Sequence, residues 1–299
     1  MPHELGSLRQ GVPEPVKRAG RSAYVLSGLP TSLARLEPDF IVAGVQRGGT
    51  TSLFRALIQH PQIVRPTFHK GTNYFSVNYQ RGPAWYRAHF PLRSVAAMRR
   101  RHIGRPVAFE SSEYYAYHPL ALARIASDLP RVKIVVILRD PVERAYSAYE
   151  HERARGYEAE DFDTALALED QRLSGEVERL TRDPGYQSYA HRHYSYRHRG
   201  DYVTQLTRLY DLFSPERVLV LQSEKFFEQP ELVFGKLMDF VGLTPKMPEH
   251  FDQHNARPRA PMSPAAYRLL TDFYSAQVDD MTRLLGERPE WDFVRSNEG

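Results

Sequence analysis

A short apolar run that ends at glycines and passes at once into a helix-forming segment constrains this chain more than any other feature of its 299 residues. Phe40-Ile41-Val42-Ala43-Gly44-Val45 has no polar residue to turn outward, so it reads as a strand buried on both faces, the habit of parallel sheets. Gly44, Gly48 and Gly49 break the run. Over residues 51–60, Leu53, Leu57 and Ile58 then fall on one helical face. Two more units of this kind follow. Residues 132–138 form an all but continuous apolar strand. After it Asp140 is placed to cap a helix, Pro141 to start it and Glu143 to return a bond to the cap, with an end near Gly156. Residues 217–222 read as a third strand, between helices over 202–213 and 230–241, the latter stopped by Gly242. A long amphipathic helix is expected over 265–285. Strands alternating with helices predict an α/β fold with a mostly parallel central sheet flanked by helices on both faces. Residues 1–38, rich in Gly, Pro, Arg and Ser, are expected to form a flexible or loosely docked arm whose Lys17, Arg18 and Arg21 are available to an anionic surface. Residues 39–299 read as a single domain.

Forty Lys and Arg against 36 Asp and Glu leave a net charge of +4. That mild excess suits an anionic small ligand and lacks the basic run expected of a nucleic-acid binder. The absence of cysteine removes disulfides, thiol catalysis and Cys-ligated zinc together, and no His/Asp/Glu set has metal spacing. No apolar run reaches about 18 residues and the N-terminus lacks a signal-peptide core, so the expectation is a cytoplasmic protein without a transmembrane segment.

Gly44-Val45-Gln46-Arg47-Gly48-Gly49-Thr50-Thr51 joins the first strand to its helix. Glycines let a backbone turn tightly and aim several N–H groups at one anion, and the helix start adds partial positive charge. Arg47 contributes a forked cationic donor, and Thr50, Thr51 and Ser52 contribute hydroxyls. The spacing is close to the nucleotide loop G-x-x-x-x-G-K-[ST], but Thr50 stands where the lysine for β- and γ-phosphates belongs. A ligand with a 5′-phosphate and no γ-phosphate fits better, although an NTPase or kinase remains an alternative.

The segment Gln46-Arg47-Gly48-Gly49-Thr50-Thr51-Ser52-Leu53 resembles the 5′-phosphosulfate-binding loop of sulfotransferases that use 3′-phosphoadenosine 5′-phosphosulfate (PAPS). Val135-Val136-Ile137-Leu138-Arg139-Asp140-Pro141-Val142-Glu143-Arg144-Ala145-Tyr146-Ser147 resembles that family's 3′-phosphate segment. Tyr79, Gly82, Trp85, Tyr86 and Phe90-Pro91 resemble the Y-x-x-G-x-x-W-Y-x-x-x-F-P stretch of its heparan-sulfate-type branch and bacterial relatives. Leu221-Gln222-Ser223-Glu224-Lys225-Phe226 and Phe240-Val241-Gly242-Leu243 resemble later motifs, so the likeness runs from about residue 39 to 291. It implies a P-loop-like three-layer fold, PAPS as sulfuryl donor without a metal, and an acceptor hydroxyl (or amine) on a carbohydrate, glycolipid or secondary metabolite. By the same resemblance Arg139 and Ser147 serve the 3′-phosphate, with a structural salt bridge from Arg139 to Asp140 or Glu143 as the other reading. Arg257 falls where the family has a basic loop over the nucleotide, or else it and Arg259 are solvated charges.

Sulfuryl transfer asks for a cation beside the departing phosphate oxygen and a base for the acceptor proton. Arg47 and Lys70 are the candidate cations. Lys70 stands in His69-Lys70-Gly71-Thr72-Asn73-Tyr74-Phe75, which resembles the family's K-E-x-x-F-F segment except that Gly71 replaces the glutamate serving there as base. Glu110, in Phe109-Glu110-Ser111-Ser112-Glu113-Tyr114-Tyr115, is then the leading base, since the apolar stretch before it predicts burial and a raised pKa. A structural carboxylate is its other reading. His69 and Glu113 are reserves. Tyr74, Phe75, Trp85, Tyr86, Tyr114 and Tyr115 gather around these positions as core or as cleft walls. A non-catalytic binder of anionic nucleotide or polysaccharide is the alternative from outside enzymology.

Overall fold

The computed structural model describes residues 14–251 and 260–296. Five strands, β1 (Phe40–Gly44), β2 (Ile63–Val64), β3 (Val107–Ser111), β4 (Lys133–Leu138) and β5 (Val218–Gln222), form one sheet in the order β2-β3-β1-β4-β5. All four pairings are parallel. Side chains alternate between its faces. Ile41, Ala43, Ala108, Ile134, Val136 and Leu138 enter one core, with the helices Pro141–Ala154, Tyr202–Leu212, Pro264–Ser275 and Val278–Leu285. Phe40, Val42, Val107, Phe109, Val135 and Ile137 enter the other, with Thr50–Leu57 and Pro230–Val241. Both faces are covered, which is why the strands read as unbroken apolar runs.

The three expected strands are β1, β4 and β5. β2 is too short to leave a pattern. β3 ends in Glu110 and Ser111, polar residues that are nonetheless buried. The helix after β1 ends at Leu57 and leaves Ile58 exposed, contrary to the apolar face expected through it. Asp140 caps its helix by accepting from Val142 N (2.8 Å) and Glu143 N (3.2 Å). The bond back to the cap comes from another element, since Asp140 N–H donates to Glu224 Oε1 (2.9 Å). Glu143 turns instead to Arg139 (3.2 Å). The expected helix over 265–285 is two helices that part at Ala276 and Gln277. Asp279 and Asp280 suit the positive end of a fresh helix start there.

The expected loose arm is ordered from residue 14 on. Glu14–Gly28 is a helix and Leu29–Ala34 a 3₁₀ turn. Val25 is buried, the Tyr24 ring meets Phe68 edge-on at 4.9 Å, and the Tyr24 and Thr67 hydroxyls lie 3.1 Å apart. Arg35 donates to the Ala88 (3.4 Å) and Phe90 (2.6 Å) carbonyls. A few anchors outweigh a composition that favours disorder. The side chains of Lys17 and Arg18, and residues Arg257 and Arg259, lie outside what the structure describes.

From β1 the chain passes to a helix on one face, and from β4 to a helix on the other. The loops therefore part at adjacent strands, and a crevice opens at the carboxyl edge of the sheet, where ligands of open α/β sheets bind.

Candidate functional site

The loop after β1 folds back over β4. Val45 N–H donates to Ile137 O (3.1 Å) and Gly48 N–H to Val45 O (3.0 Å). Gly48 lies so close to β4 that a Cβ there would stand 2.5 Å from Ile137 O and 2.7 Å from Val45 Cγ2. Arg47 and Gly49 take left-handed backbone, with φ of 67° and 93°. For a non-glycine residue such as Arg47 this is strain of the kind that functional loops hold. Left-handed residues just ahead of a helix start make a main-chain cradle for an anion, and Thr50 and Ser52 are buried beside it.

Three residues expected on one ligand do meet. Arg47 Nε donates to Ser147 Oγ (2.9 Å) across a hundred residues of sequence. Arg139 Nη1 lies 3.4 Å from Arg47 O, and its other branch pairs with Glu143. Arg139 thus forms the ion pair with Glu143, the structural reading, and also stands beside the loop. Lys70 arrives from a different segment. Its Nζ donates to Thr50 Oγ1 (2.7 Å) and reaches Thr51 Oγ1 (3.4 Å), while its carbonyl accepts from Ser111 N (2.9 Å). Burial pulls the Lys70 ammonium below its usual pKa, and Glu113, 3.8 Å away, opposes the shift. Lys70 thus brings to the loop an ammonium that position 50 does not carry.

Beside the loop opens a cleft of about 240 Å³. His69, Lys70 and Asn73 line one side, and Ser112, Glu113 and Tyr114 come from the end of β3. The far wall holds Gln46, Glu152, Arg155, Arg192, His193 and Arg199. Burial, and secondarily the Arg21 charge, hold the His69 imidazole below its ordinary pKa.

Glu110 is absent from this lining and fully buried. Its Oε2 accepts from Thr72 N (2.8 Å), Thr72 Oγ1 (2.8 Å) and Ser112 Oγ (3.4 Å), and its Oε1 from Tyr86 OH (3.1 Å) and Tyr115 OH (3.0 Å). Burial raises its pKa, as expected, and these donors oppose the rise. A carboxylate with both oxygens engaged and no opening to the cleft is a structural hub; the expectation of Glu110 as base is corrected on that ground. Tyr74, Phe75, Tyr86 and Tyr115, which pack around it, are core.

Gly71 has its own cause. A Cβ there would stand 2.2 Å from Ser111 O and 2.3 Å from Ser112 Oγ. The backbone of this segment lies against the end of β3, so the position has no room for a side chain.

Sequence reasoning missed a polar network on the far wall. Glu152 Oε2 pairs with His193 Nδ1 (2.8 Å) and Glu152 Oε1 accepts from Gln46 Nε2 (3.1 Å). Arg199 donates to Gln46 Oε1 and to the His191 (2.9 Å) and Arg192 (2.8 Å) carbonyls. Burial alone would raise the Glu152 carboxyl, but the bond and charge of His193, with Arg155 and His151, bring it below the usual range. Gln46 was visible as the neighbour of Arg47. Nothing in the spacing of Glu152, His193 and Arg199 announces their contact.

Residues 37–258 match a family model described as the sulfotransferase domain. The human bifunctional heparan sulfate N-deacetylase/N-sulfotransferase 3 is 29% identical over 219 residues, which are 70% of this chain and 22% of that protein. The Xenopus laevis bifunctional heparan sulfate N-deacetylase/N-sulfotransferase 1 is 29% identical over 224 residues, 71% of this chain and 23% of its own length. The chain thus spans about a fifth of the length of these relatives. Among solved structures, a sulfotransferase from Alicyclobacillus acidocaldarius is 27% identical with a TM-score of 0.63, covering 85% of this chain and 98% of that one. A mouse sulfotransferase complexed with PAP, at 14% identity and a TM-score of 0.50 over 92% of this chain and 95% of its own, shares the fold.

Proposed function

This chain belongs to the sulfotransferase domain family, and from that premise we propose that it transfers the sulfuryl group of PAPS to a hydroxyl or amine of a saccharide or small-molecule acceptor. When bound, PAPS supplies a sulfuryl group already activated by its anhydride bond to the 5′-phosphate. The observation that carries the reading is the meeting of Arg47, Ser147 and Arg139 at one sheet edge, with Lys70 laid on Thr50. The loop of Gly48, Gly49, Thr50, Thr51 and Ser52 would hold the 5′-phosphate, and its fit rests on the left-handed backbone of Arg47 and Gly49 just ahead of the helix start, with Thr50 and Ser52 buried beside it. Arg139 and Ser147 would hold the 3′-phosphate. Arg47 and Lys70 place positive charge where the leaving oxygen becomes anionic, an interaction that strengthens towards the transition state. The cleft bearing His69 and Glu113 takes the acceptor, and residues 39–299 act as one catalytic domain. Among the described residues no group of three His, Asp or Glu stands ready for a metal, and no helix is long and apolar enough to cross a membrane.

The test is calorimetric binding of 3′-phosphoadenosine 5′-phosphate (PAP), beside ATP with magnesium, to wild type and Arg139→Ala. Wild type should prefer the bisphosphate without metal. Arg139→Ala should weaken it roughly tenfold to a hundredfold, the loss of charge-assisted hydrogen bonds worth about 1.5–3 kcal/mol. A preference for ATP with magnesium would overturn the reading.

A further inference from the structure

We propose that Glu113 is the general base of this active site, taking over from the end of β3 a task that position 71 has no space to perform. The inference rests on the sulfotransferase reading and deepens it.

Among the described residues that line the cleft, two are carboxylates, Glu113 and Glu152. Glu152 is buried, with one oxygen on His193 and the other on Gln46. Glu110 is sealed behind five donors, and Gly71 has no side chain and no room for one. Glu113 is the opposite case. Its side chain is 43% exposed, and Oε2 stands 3.8 Å from Lys70 Nζ, which itself lies 2.7 Å from Thr50 of the phosphate loop. A second bearing comes from the helix after β4. Burial, then Arg47, push the His151 imidazole down, and Glu152 and Glu113 draw it partly back. The Glu113 carboxylate thus lies within electrostatic reach of that helix as well as of Lys70. With the phosphosulfate on the Thr50 loop, as the sulfotransferase reading has it, an acceptor in the cleft would meet sulfur beside Lys70 and Glu113. The imidazoles of the cleft are placed differently. His193, whose Nδ1 pairs with Glu152, belongs to the network with Gln46 and Arg199, whereas Glu113 stands beside Lys70, and His69 is held down by burial and Arg21.

The step balances without a further reactant. Glu113 takes the acceptor O–H or N–H proton as the acceptor atom bonds to sulfur. The bond between sulfur and the 5′-phosphate oxygen breaks, and its electron pair stays on that oxygen beside Lys70. Glu113 then releases the proton to water.

The test compares wild type, Glu113→Gln, Glu113→Asp and Glu113→Ala as full-length proteins. PAP formation from PAPS is followed with de-N-sulfated heparin, N-acetylglucosamine and 4-nitrophenol as acceptors. General-base loss costs about 10²–10⁴ in rate, so Glu113→Gln should lose about 10²–10³ in kcat with little change in acceptor KM. The acidic limb of its pH–kcat profile should disappear. Glu113→Asp should retain more activity, and added formate should partly rescue Glu113→Ala. Calorimetry gives a readout independent of turnover. Removing an anion beside Lys70 should tighten PAP binding by ~3–10-fold. Tighter binding with kcat within threefold of wild type and the acidic limb intact would make Glu113 only the counter-ion of Lys70 and overturn the assignment. A wild type that binds no PAP and turns over none of the three acceptors would defeat the sulfotransferase reading, and the base assignment with it.

Discussion

Gly71→Ala isolates the idea that the missing acid at position 71 is a matter of space. The added methyl would stand 2.2 Å from Ser111 O and 2.3 Å from Ser112 Oγ, more than ~1 Å inside the 3.5–4.0 Å at which heavy atoms pack. Neither neighbour yields cheaply. Ser111 is a strand residue whose N–H is held by Lys70 O, and Ser112 Oγ holds Asn73 N and faces Glu110. The 70–73 segment must move instead, at about 1–3 kcal/mol or more. At ~2–4 °C per kcal/mol for a chain of this size, Tm should fall by about 2–12 °C. Lys70 would shift with the segment by roughly 1 Å, a misplacement worth ~10²-fold in rate. Gly71→Glu, which restores the family's residue on paper, should be worse on both counts. The matched control is Gly235→Ala, inside the helix Pro230–Val241 with nothing within 4 Å of its added Cβ. There the same methyl should stabilise by about 0.5–1 kcal/mol. Scanning calorimetry and PAP formation from PAPS on the three variants decide it. A Gly71→Ala protein with wild-type Tm and turnover would refute the steric account, and an active Gly71→Glu would show that the segment can accommodate the acid.

Two further outcomes follow from buried groups. Glu110→Ala leaves the Thr72, Tyr86 and Tyr115 donors unmet inside the core, each at about 1–3 kcal/mol, so urea unfolding should show a loss of about 3–5 kcal/mol; a change under about 1 kcal/mol would refute its role as a structural hub. Burial, then the Arg124 and Arg208 charges, push His118 from 6.5 to about 3. Because its folded pKa lies below its unfolded one, its stabilising effect is complete above pH 6.5 and is lost as the pH falls towards 3. That loss is about 2 kcal/mol by pH 5. His118→Asn can still accept the Leu120 N–H that His118 Nδ1 holds at 3.2 Å, and should remove this part of the decline in urea midpoint between pH 7 and 5. An unchanged slope would show that His118 takes up its proton in the folded state.

Local chemistry determined much of this protein from the sequence alone. β1, β4 and β5 were legible because strands covered on both faces need unbroken apolar runs. The turn after β1 was legible because a tight turn before a helix needs glycines, and the Asp140 cap and the Gly242 stop because helix ends need particular residues. These demands are met within a few positions of the chain, so they leave a spacing. β3 was hidden because Glu110 and Ser111 are polar, and only donors from Thr72, Tyr86 and Tyr115 make their burial tolerable. The docked N-terminal helix was hidden because Tyr24 and Val25 are two anchors among residues typical of disorder. Tertiary structure alone decided which carboxylate is sealed and which faces the cleft, why position 71 has no side chain, and that Glu152, His193, Gln46 and Arg199 form one network. Many of the partners lie far along the chain, Thr72 38 residues from Glu110, His193 41 from Glu152 and Arg199 153 from Gln46, and no local pattern records what will stand beside a side chain once the sheet has assembled.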